Sequence, residues 1–238
     1  MTGTNPFQIP MQPRNLRSHS LPSPHVRVWD APTRLFHWTI VSLVGCSWYS
    51  ADQGLMTLHL WSGLILLTLL LFRIAWGIVG STTARFSDFL HSPSTVIGYL
   101  KALMSNRKPL YVGHNPAGGL MVAALITVLL AQVATGLFAN DGVRFHGPLA
   151  LWVSTDISDR LTQLHGLVFN AILLLVWMHL VAVFFYLLVK GDNLVKPMVT
   201  GYKHRHHLPQ QLNLKFVHWA IALVVLAAAA GVVGWILL

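Results

Sequence analysis

Five long apolar stretches alternate with short polar and basic segments along the chain. A helix needs about 20 apolar residues to cross the hydrocarbon core of a bilayer. The pattern therefore predicts an all-α integral membrane protein with five spans, at residues 35–49, 58–79, 120–138, 161–189 and 216–238. Residues 86–104, between the second and third spans, have an amphipathic pattern typical of a helix lying on the membrane surface.

The composition agrees with this pattern. Hydrophobic residues make up 54% of the 238 residues and charged residues only 10%, whereas a soluble domain carries about 25% charged residues. Cys46 is the single cysteine. A disulfide within the chain, a CxxCH heme attachment and a cysteine-based zinc or iron–sulfur site are therefore excluded.

The basic residues are unevenly distributed, and this orients the chain. Thirteen Lys and Arg residues lie before the first span and in residues 80–118 and 190–215, against two in the loops on the other side. By the positive-inside rule the N-terminus is cytoplasmic and the C-terminus, after five spans, is periplasmic. The net charge of +9 thus reflects topology and does not indicate nucleic-acid binding. Arg73, near the end of the second span, is expected to snorkel to the interface.

Two histidines lie within the fourth span, His165 and His179, fourteen residues apart. At about 100° and 1.5 Å per residue, they face the same side to within roughly 40° and stand about 21 Å apart along the helix. Ligand-type side chains are costly inside a membrane and therefore indicate function. We predict that this helix carries two b hemes, one near each membrane face.

The opposite ligands follow from the depth of the other histidines. His37 opens the first span near the cytoplasmic face and His59 opens the second near the outer face. Equal depth then pairs His59 with His165 and His37 with His179, as two bis-histidine heme irons require. Zinc would need its ligands at one point. A proton or metal-ion transporter is the rival interpretation, but a proton relay needs acids within the spans, and all seven aspartates lie outside them.

Seven short motifs, in this order along the chain, resemble those of a known family. They are RVWDAPTRLFHW, LHLWSG, FRIAWGIVGS, ARFSDF, GHNPAGG, LHGLVFN and DNLVKPMVTGYK. They are similar to those of the bacterial cytochrome b561 and Ni-Fe hydrogenase cytochrome b subunit family, which also resembles the formate dehydrogenase gamma subunit. The resemblance implies a four-helix diheme bundle over residues 26–203 that exchanges electrons with a quinone.

The flanking segments depart from that family pattern. Residues 1–25 are rich in Pro and Ser and lack a signal-peptide core, so they are predicted to form a disordered cytoplasmic tail. Residues 204–238 are predicted to be a linker and a fifth transmembrane helix. His218 begins that helix in a pattern like the one around His37, but only His37 matches the family motif, and it is the preferred ligand.

Further residues are candidates for contacts to the cofactors. Arg34 and Arg73 at the inner face and Arg160 at the outer face suit heme propionates, with interfacial anchoring as the alternative. Gly45, Gly63 and Gly136 suit close approach of a macrocycle or of another helix.

A quinone site is also expected. In the resembling formate dehydrogenase subunits a loop similar to GHNPAGG contacts quinone beside the inner heme. The matching position here is Asn115, with His114 as its neighbour. Histidine has a pKa suited to exchanging protons with a quinone. The alternative is a simple turn entering a helix.

Together these features predict an electron-transfer subunit with quinol/quinone oxidoreductase activity in the bacterial inner membrane. Electrons pass between ubiquinone or menaquinone and a periplasmic partner, either a c-type cytochrome or a hydrogenase-like dehydrogenase subunit. A self-contained quinol oxidase that passes electrons to oxygen species is the alternative within the family. Membrane lipid surrounds the spans, no nucleic-acid partner is expected, and the oligomeric state stays open.

Overall fold

A computed structural model describes residues 24–105 and 110–237. The tail predicted for residues 1–25 lies almost wholly outside the described residues. Within them the chain forms eight α-helices: α1 (Ala31–Asp52), α2 (Met56–Val79), α3 (Phe86–Phe89), α4 (Pro93–Met104), α5 (Pro116–Leu137), α6 (Thr155–Leu188), α7 (Val195–Thr200) and α8 (Trp219–Ile236). The predicted all-α class thus needs one addition, a short antiparallel ribbon of β1 (His25–Arg27) and β2 (Tyr202–His204) with Val26 opposite Lys203.

Three of the long helices begin at an Asp, Asn or Ser cap. Asp30, Asn115 and Ser154 each accept a hydrogen bond from a backbone N–H of the following first turn, in α1, α5 and α6. Proline occupies the first turn of α1 and α5, where its missing N–H removes no intrahelical bond. The helices α5 and α6 therefore begin four and six residues before the spans predicted at 120 and 161, because polar caps extend them beyond the apolar core.

Four of the five predicted spans are helices long and apolar enough to cross a membrane: α2, α5, α6 and α8. The helix of the first predicted span, α1, has 22 residues, as many as α5. It is not among the four in the described part of the chain, because Arg34, His37 and several Ser and Thr residues dilute its apolar character.

The bundle is assembled from two tight helix pairs. The helix α1 packs on α2 and α5 packs on α6, and α2 also contacts α5 and α8. The central core lies between α2, α5 and α6 and includes Leu66, Leu70, Ile126, Leu129 and Ile172. In contrast, α6 makes few close contacts with α1 or α2. The histidines face one another across the space that this leaves.

A loop layer covers the end of the bundle that holds His37, which we call the His37 end; the opposite end is the His59 end. The Val28 N–H donates to the Gly201 carbonyl at 2.8 Å, and the Trp38 indole donates to the Met198 carbonyl at 3.3 Å. Gly201 has φ +88°, and a Cβ there would lie 3.1 Å from the Trp29 carbonyl. Glycine therefore allows α7 to fold back under α1.

Candidate functional site

The structure brings the four predicted histidines together in the predicted pairs. The ring centroids of His37 and His179 are 6.4 Å apart, with an interplanar angle of 55°. Those of His59 and His165 are 6.0 Å apart, at 82°. His218, the competing residue, is exposed and caps α8 by accepting a hydrogen bond from the Ala220 N–H at 3.2 Å.

The long helix α6 supplies one member of each pair. Its 34 residues correspond to about 51 Å, which exceeds the roughly 30 Å apolar core of a bilayer. Ile172 lies midway between His165 and His179, on the same stripe of the helix, and is buried in the central core. An apolar side chain thus separates the two histidine pairs.

Hydrogen bonds determine the tautomer of the pair at the His59 end. The Nδ1 of His59 lies 2.9 Å from the Ser47 carbonyl oxygen, and the Nδ1 of His165 lies 2.8 Å from the Gln132 carbonyl oxygen. A carbonyl only accepts, so both Nδ1 atoms carry hydrogen. Each Nε2 then carries a lone pair, which on His165 accepts from the Gln132 amide at 3.1 Å. A neutral imidazole binds a metal ion through such a lone pair.

A cavity of about 320 Å³ lies beside this pair. It is lined mostly by apolar side chains of α1, α2, α5 and α6, with His59, His165 and Gln132 among the few polar ones. Its size falls within the roughly 300–1,000 Å³ of small-molecule sites, and a largely apolar lining with a few polar groups is typical of them.

The three predicted glycines have different surroundings. A Cβ at Gly136 would lie 2.8 Å from Cε1 of His165, so this glycine lets the imidazole rest against α5. Gly45 and Gly63 have open space where a Cβ would be, and Gly63 also lines the cavity. The close contact at Gly136 is therefore with a predicted ligand.

Buried side-chain atoms without a hydrogen-bond partner in the described part of the chain are concentrated beside the two histidine pairs. Five belong to the His37 end and its surroundings, and the sixth, Oε1 of Gln132, belongs to the His165 surroundings. The five are Oγ1 of Thr33, Nε of Arg34, Nδ1 of His37, Nη1 of Arg73 and Nδ1 of His114. Native proteins leave few buried polar atoms unsatisfied, and a ligand that binds beside such an atom is one explanation for it.

Arg73 does not snorkel to the interface as predicted. It is 2% exposed, and its guanidinium lies 5.0 Å from the ring centroid of Phe86 and 5.7 Å from that of Phe89. The helix α3 carries both rings over the end of α2, and an arginine under two aromatic faces is stabilised there. Arg34 donates to the Val199 carbonyl, whereas Arg160 is exposed on the first turns of α6.

The predicted quinone residues, His114 and Asn115, lie before α5 at the His37 end. His114 packs against the rings of Trp29 and Phe89, each with a centroid distance of 4.8 Å. Burial, with a smaller contribution from the charge of Arg73, lowers the pKa of His114 to about 3. Its imidazole is therefore neutral at pH 7, so it can exchange a hydrogen bond but is not a source of protons there.

Asn115 uses both ends of its amide. Its Oδ1 accepts from the Gly118 N–H at 2.8 Å, and its Nδ2 donates to the Tyr186 hydroxyl at 3.1 Å. Tyr186 is also hydrogen bonded to the hydroxyl of Tyr99 in α4, and burial raises the pKa of Tyr99. The turn-and-cap role considered from the sequence is therefore present, together with a hydroxyl network that connects α4, α5 and α6.

Several residues around the histidines were missed from the sequence. The Gln132 amide nitrogen lies 3.1 Å from Nε2 of His165, and a polar residue inside an apolar span was the available signal. No sequence signal pointed to the Ser47 carbonyl, because every residue has a backbone carbonyl and the sequence does not distinguish this one. Buried Asp30 accepts from the Trp76 indole at 3.1 Å. Its place just before an Ala-Pro pair signals a helix cap, although not this second bond.

No group of three or more His, Cys, Asp or Glu side chains in the described part of the chain is placed to bind one metal ion. The histidines occur instead as facing pairs. An imidazole nitrogen lies about 2 Å from a metal ion of this kind. With each ring centre about 1 Å behind its nitrogen, two imidazoles on opposite sides of one heme iron have centres about 6 Å apart. Both pairs match that spacing, so the residues fit two bis-histidine hemes.

Comparison with known families gives one match. A family model described as prokaryotic cytochrome b561 matches residues 28–201, which include all four paired histidines and end just after α7. No curated protein matches the chain. The helix α8 lies outside the matched region.

Proposed function

The chain belongs to the prokaryotic cytochrome b561 family, and from this we propose a diheme cytochrome b that transfers electrons across the membrane between quinone and a redox partner. Family membership makes it a membrane cytochrome b that binds heme b and takes part in electron transfer. The number of hemes, their ligands, the orientation, the quinone and the partner belong to the proposal.

The ligand assignment rests on one observation, the spacing of the histidine rings. His37 and His179 would hold one heme iron, and His59 and His165 the other, at centroid distances of 6.4 and 6.0 Å. The carbonyls of Ser47 and Gln132 hold two of these rings with Nε2 free of hydrogen. Heme iron bound at either pair would cycle between ferric and ferrous states and so carry one electron.

Arginine side chains are the proposed propionate contacts. Arg34 and Arg73 each keep a buried donor without a partner in the described residues, and a guanidinium suits a carboxylate. Arg160 would act at the His59 end, where its exposed position favours a solvent-accessible propionate.

We assign the His37 end to the cytoplasm. The basic segments predicted to be cytoplasmic include the connections before α5 and after α6, which both lie at this end. With α2, α5, α6 and α8 crossing the bilayer, α1 would cross as a fifth span because it packs along α2. Its exposed Leu35, Val41 and Trp48 suit contact with lipid.

Quinone, either ubiquinone or menaquinone, would bind at the His37 end beside Asn115 and neutral His114. The Asn115 amide is a donor suited to a quinone carbonyl. The partner, a periplasmic c-type cytochrome or a hydrogenase-like subunit, would contact the His59 end, where the loop between α5 and α6 exposes Val143, Leu151 and Trp152. Residues 26–203 form the proposed diheme unit, and residues 204–238 add a linker and α8.

The test is the heme content of the purified protein and of two single-histidine variants. We expect b-type absorption bands after dithionite reduction and about two hemes per chain. His165→Ala and His179→Ala should each retain one heme, because each removes a ligand from a different pair.

His218→Ala serves as the matched control, since it changes a histidine at the end of another helix, and it should retain both hemes. A colourless wild-type protein contradicts the family chemistry. One heme per chain, or loss of heme from His218→Ala but not from His179→Ala, contradicts the ligand assignment.

A further inference from the structure

The two histidine pairs differ in the charges and hydrogen bonds around them. We infer that buried Arg73 raises the reduction potential of the heme held by His37 and His179, so that this heme is the more readily reduced of the two. The inference rests on the proposed diheme function. It concerns how the protein divides electrons between the two sites.

Arg73 is a buried cation with no carboxylate within 4 Å among the residues that the structure describes. It is 2% exposed, and Nη1 has no hydrogen-bond partner in the described residues. Within the same part of the chain, Lys203–Asp192 is the only side-chain ion pair within 4 Å. Charges act more strongly in a low-dielectric interior than in water, so a lone buried guanidinium favours any nearby gain of negative charge.

The helix register places Arg73 at nearly the same depth in the bundle as His37. The Trp76 indole donates to Asp30 at 3.1 Å, so these two residues lie at the same depth on the antiparallel helices α1 and α2. Arg73 precedes Trp76 by three residues and Arg34 follows Asp30 by four, and both steps run about 5 Å toward the bundle centre. His37 is a further three residues along α1, so the backbone positions of Arg34 and Arg73 both lie about one helical turn from it along the bundle axis.

Other charges near Arg73 leave its effect in place. The carboxylate of Asp30 offsets part of the positive charge, but it accepts its hydrogen bonds from the Thr33 N–H and the Trp76 indole. Arg34 adds a second cation with a buried, unpartnered Nε. His114, which packs on Phe89, is neutral at pH 7. Among these side chains, two cations oppose one anion, so the protein's own charge beside His37 is positive before any heme propionate is counted.

The His59 end has the opposite character. Its nearest arginines, Arg144 and Arg160, are exposed. The Nδ1–H groups of His59 and His165 donate to carbonyls at 2.9 and 2.8 Å, which makes an imidazole a more basic ligand. His37 has no such partner in the described residues for its buried Nδ1.

Both differences act in the same direction. Reduction lowers the charge of an iron centre by one, so a fixed cation favours the reduced state, whereas more basic ligands favour the oxidised state. The buried arginine raises the potential at the His37 end, and the carbonyl-bonded histidines lower it at the His59 end.

The experiment is an optical redox titration of the purified holoprotein. We expect two one-electron waves, with the wave of the His37–His179 heme at the higher potential, identified by titrating His165→Ala. Arg73→Gln should lower that wave by at least tenfold in its reduction equilibrium constant, about 59 mV for one electron, and leave the other in place. Arg73→Lys should restore most of the shift because it restores the charge.

Arg144→Gln is the matched control, since it removes an exposed arginine at the other end that has no assigned heme contact, and it should leave the His37–His179 wave unmoved. If Arg73→Gln loses the His37–His179 heme, the Arg34→Gln variant is titrated in its place. We expect it to lower the reduction potential of the same heme. If the protein binds two hemes and Arg73→Gln shifts neither reduction potential, or shifts both equally, this inference is overturned and the diheme function still stands. Absence of two hemes in the wild-type protein overturns the function itself.

Discussion

At the scale of single residues, Asn115 combines a structural and a proposed chemical role. It caps α5 through Oδ1 and donates to Tyr186 through Nδ2. The two roles can be separated, because an aspartate in its place keeps the accepting oxygen and also suits the positive end of a helix dipole. Replacement by alanine would remove the cap as well, at a cost of about 1 kcal/mol.

We therefore expect Asn115→Asp to retain both hemes and to slow heme reduction by a quinol analogue at least tenfold. The donor is lost, while the start of α5 is preserved. Stopped-flow absorbance of the heme bands measures this rate. Asn140→Asp, at the His59 end, is the control and should react at the wild-type rate. Equal rates for the two variants would remove Asn115 from the quinone site.

At the scale of helices, α8 is an addition to the family bundle that packs on α2. Ala222 and Ala229 are buried against a cluster that contains Phe72 and Trp76. The same stretch of α2 includes Arg73, but α8 itself supplies no member of either histidine pair. Its role in the structure is to cover one side of α2.

Ala229→Phe should destabilise the protein by about 1–3 kcal/mol because the larger ring overpacks this contact. We expect a lower thermal midpoint in detergent with both hemes retained. Val232→Phe, at a position 49% exposed on the same helix, is the control and should unfold near the wild-type temperature. Loss of heme from a folded Ala229→Phe protein would show that α8 supports the cofactor sites directly.

At the scale of the whole molecule, the two ends of the bundle are chemically different. The His37 end has a loop layer built from the segment around β1, α7 and β2 and carries the basic connections. The His59 end has the loop between α5 and α6, in which Val143 is 80% exposed. The proposed orientation puts the first in the cytoplasm and the second in the periplasm.

Single cysteines test this orientation after Cys46→Ala removes the native thiol. A membrane-impermeant maleimide added to intact cells should label Val143→Cys and leave Lys196→Cys unlabelled, because Lys196 is exposed at the His37 end. Both should be labelled after the cells are opened, which controls for reactivity. The reverse labelling pattern would invert the proposed path of electrons.

The sequence by itself determined the features that depend on periodicity and on residue type. The fourteen-residue interval predicts two histidines on one face of α6, the charge count separates the ends, and depth selects the partners of His165 and His179. The rings in the structure lie in those pairs, and the family suspected from the motifs is confirmed. These features are local in the chain or follow from the order of its helices.

Only the tertiary structure decided what surrounds those histidines. Arg73 was expected at the interface, but its burial depends on Phe86 and Phe89, which a turn folds over α2. The carbonyls that hold His59 and His165 have no sequence signal, since every residue has one. The close contact of Gly136 with His165 likewise depends on how α5 packs against α6. Contacts between segments distant in the chain depend on how helices pack, which no single helical pattern encodes.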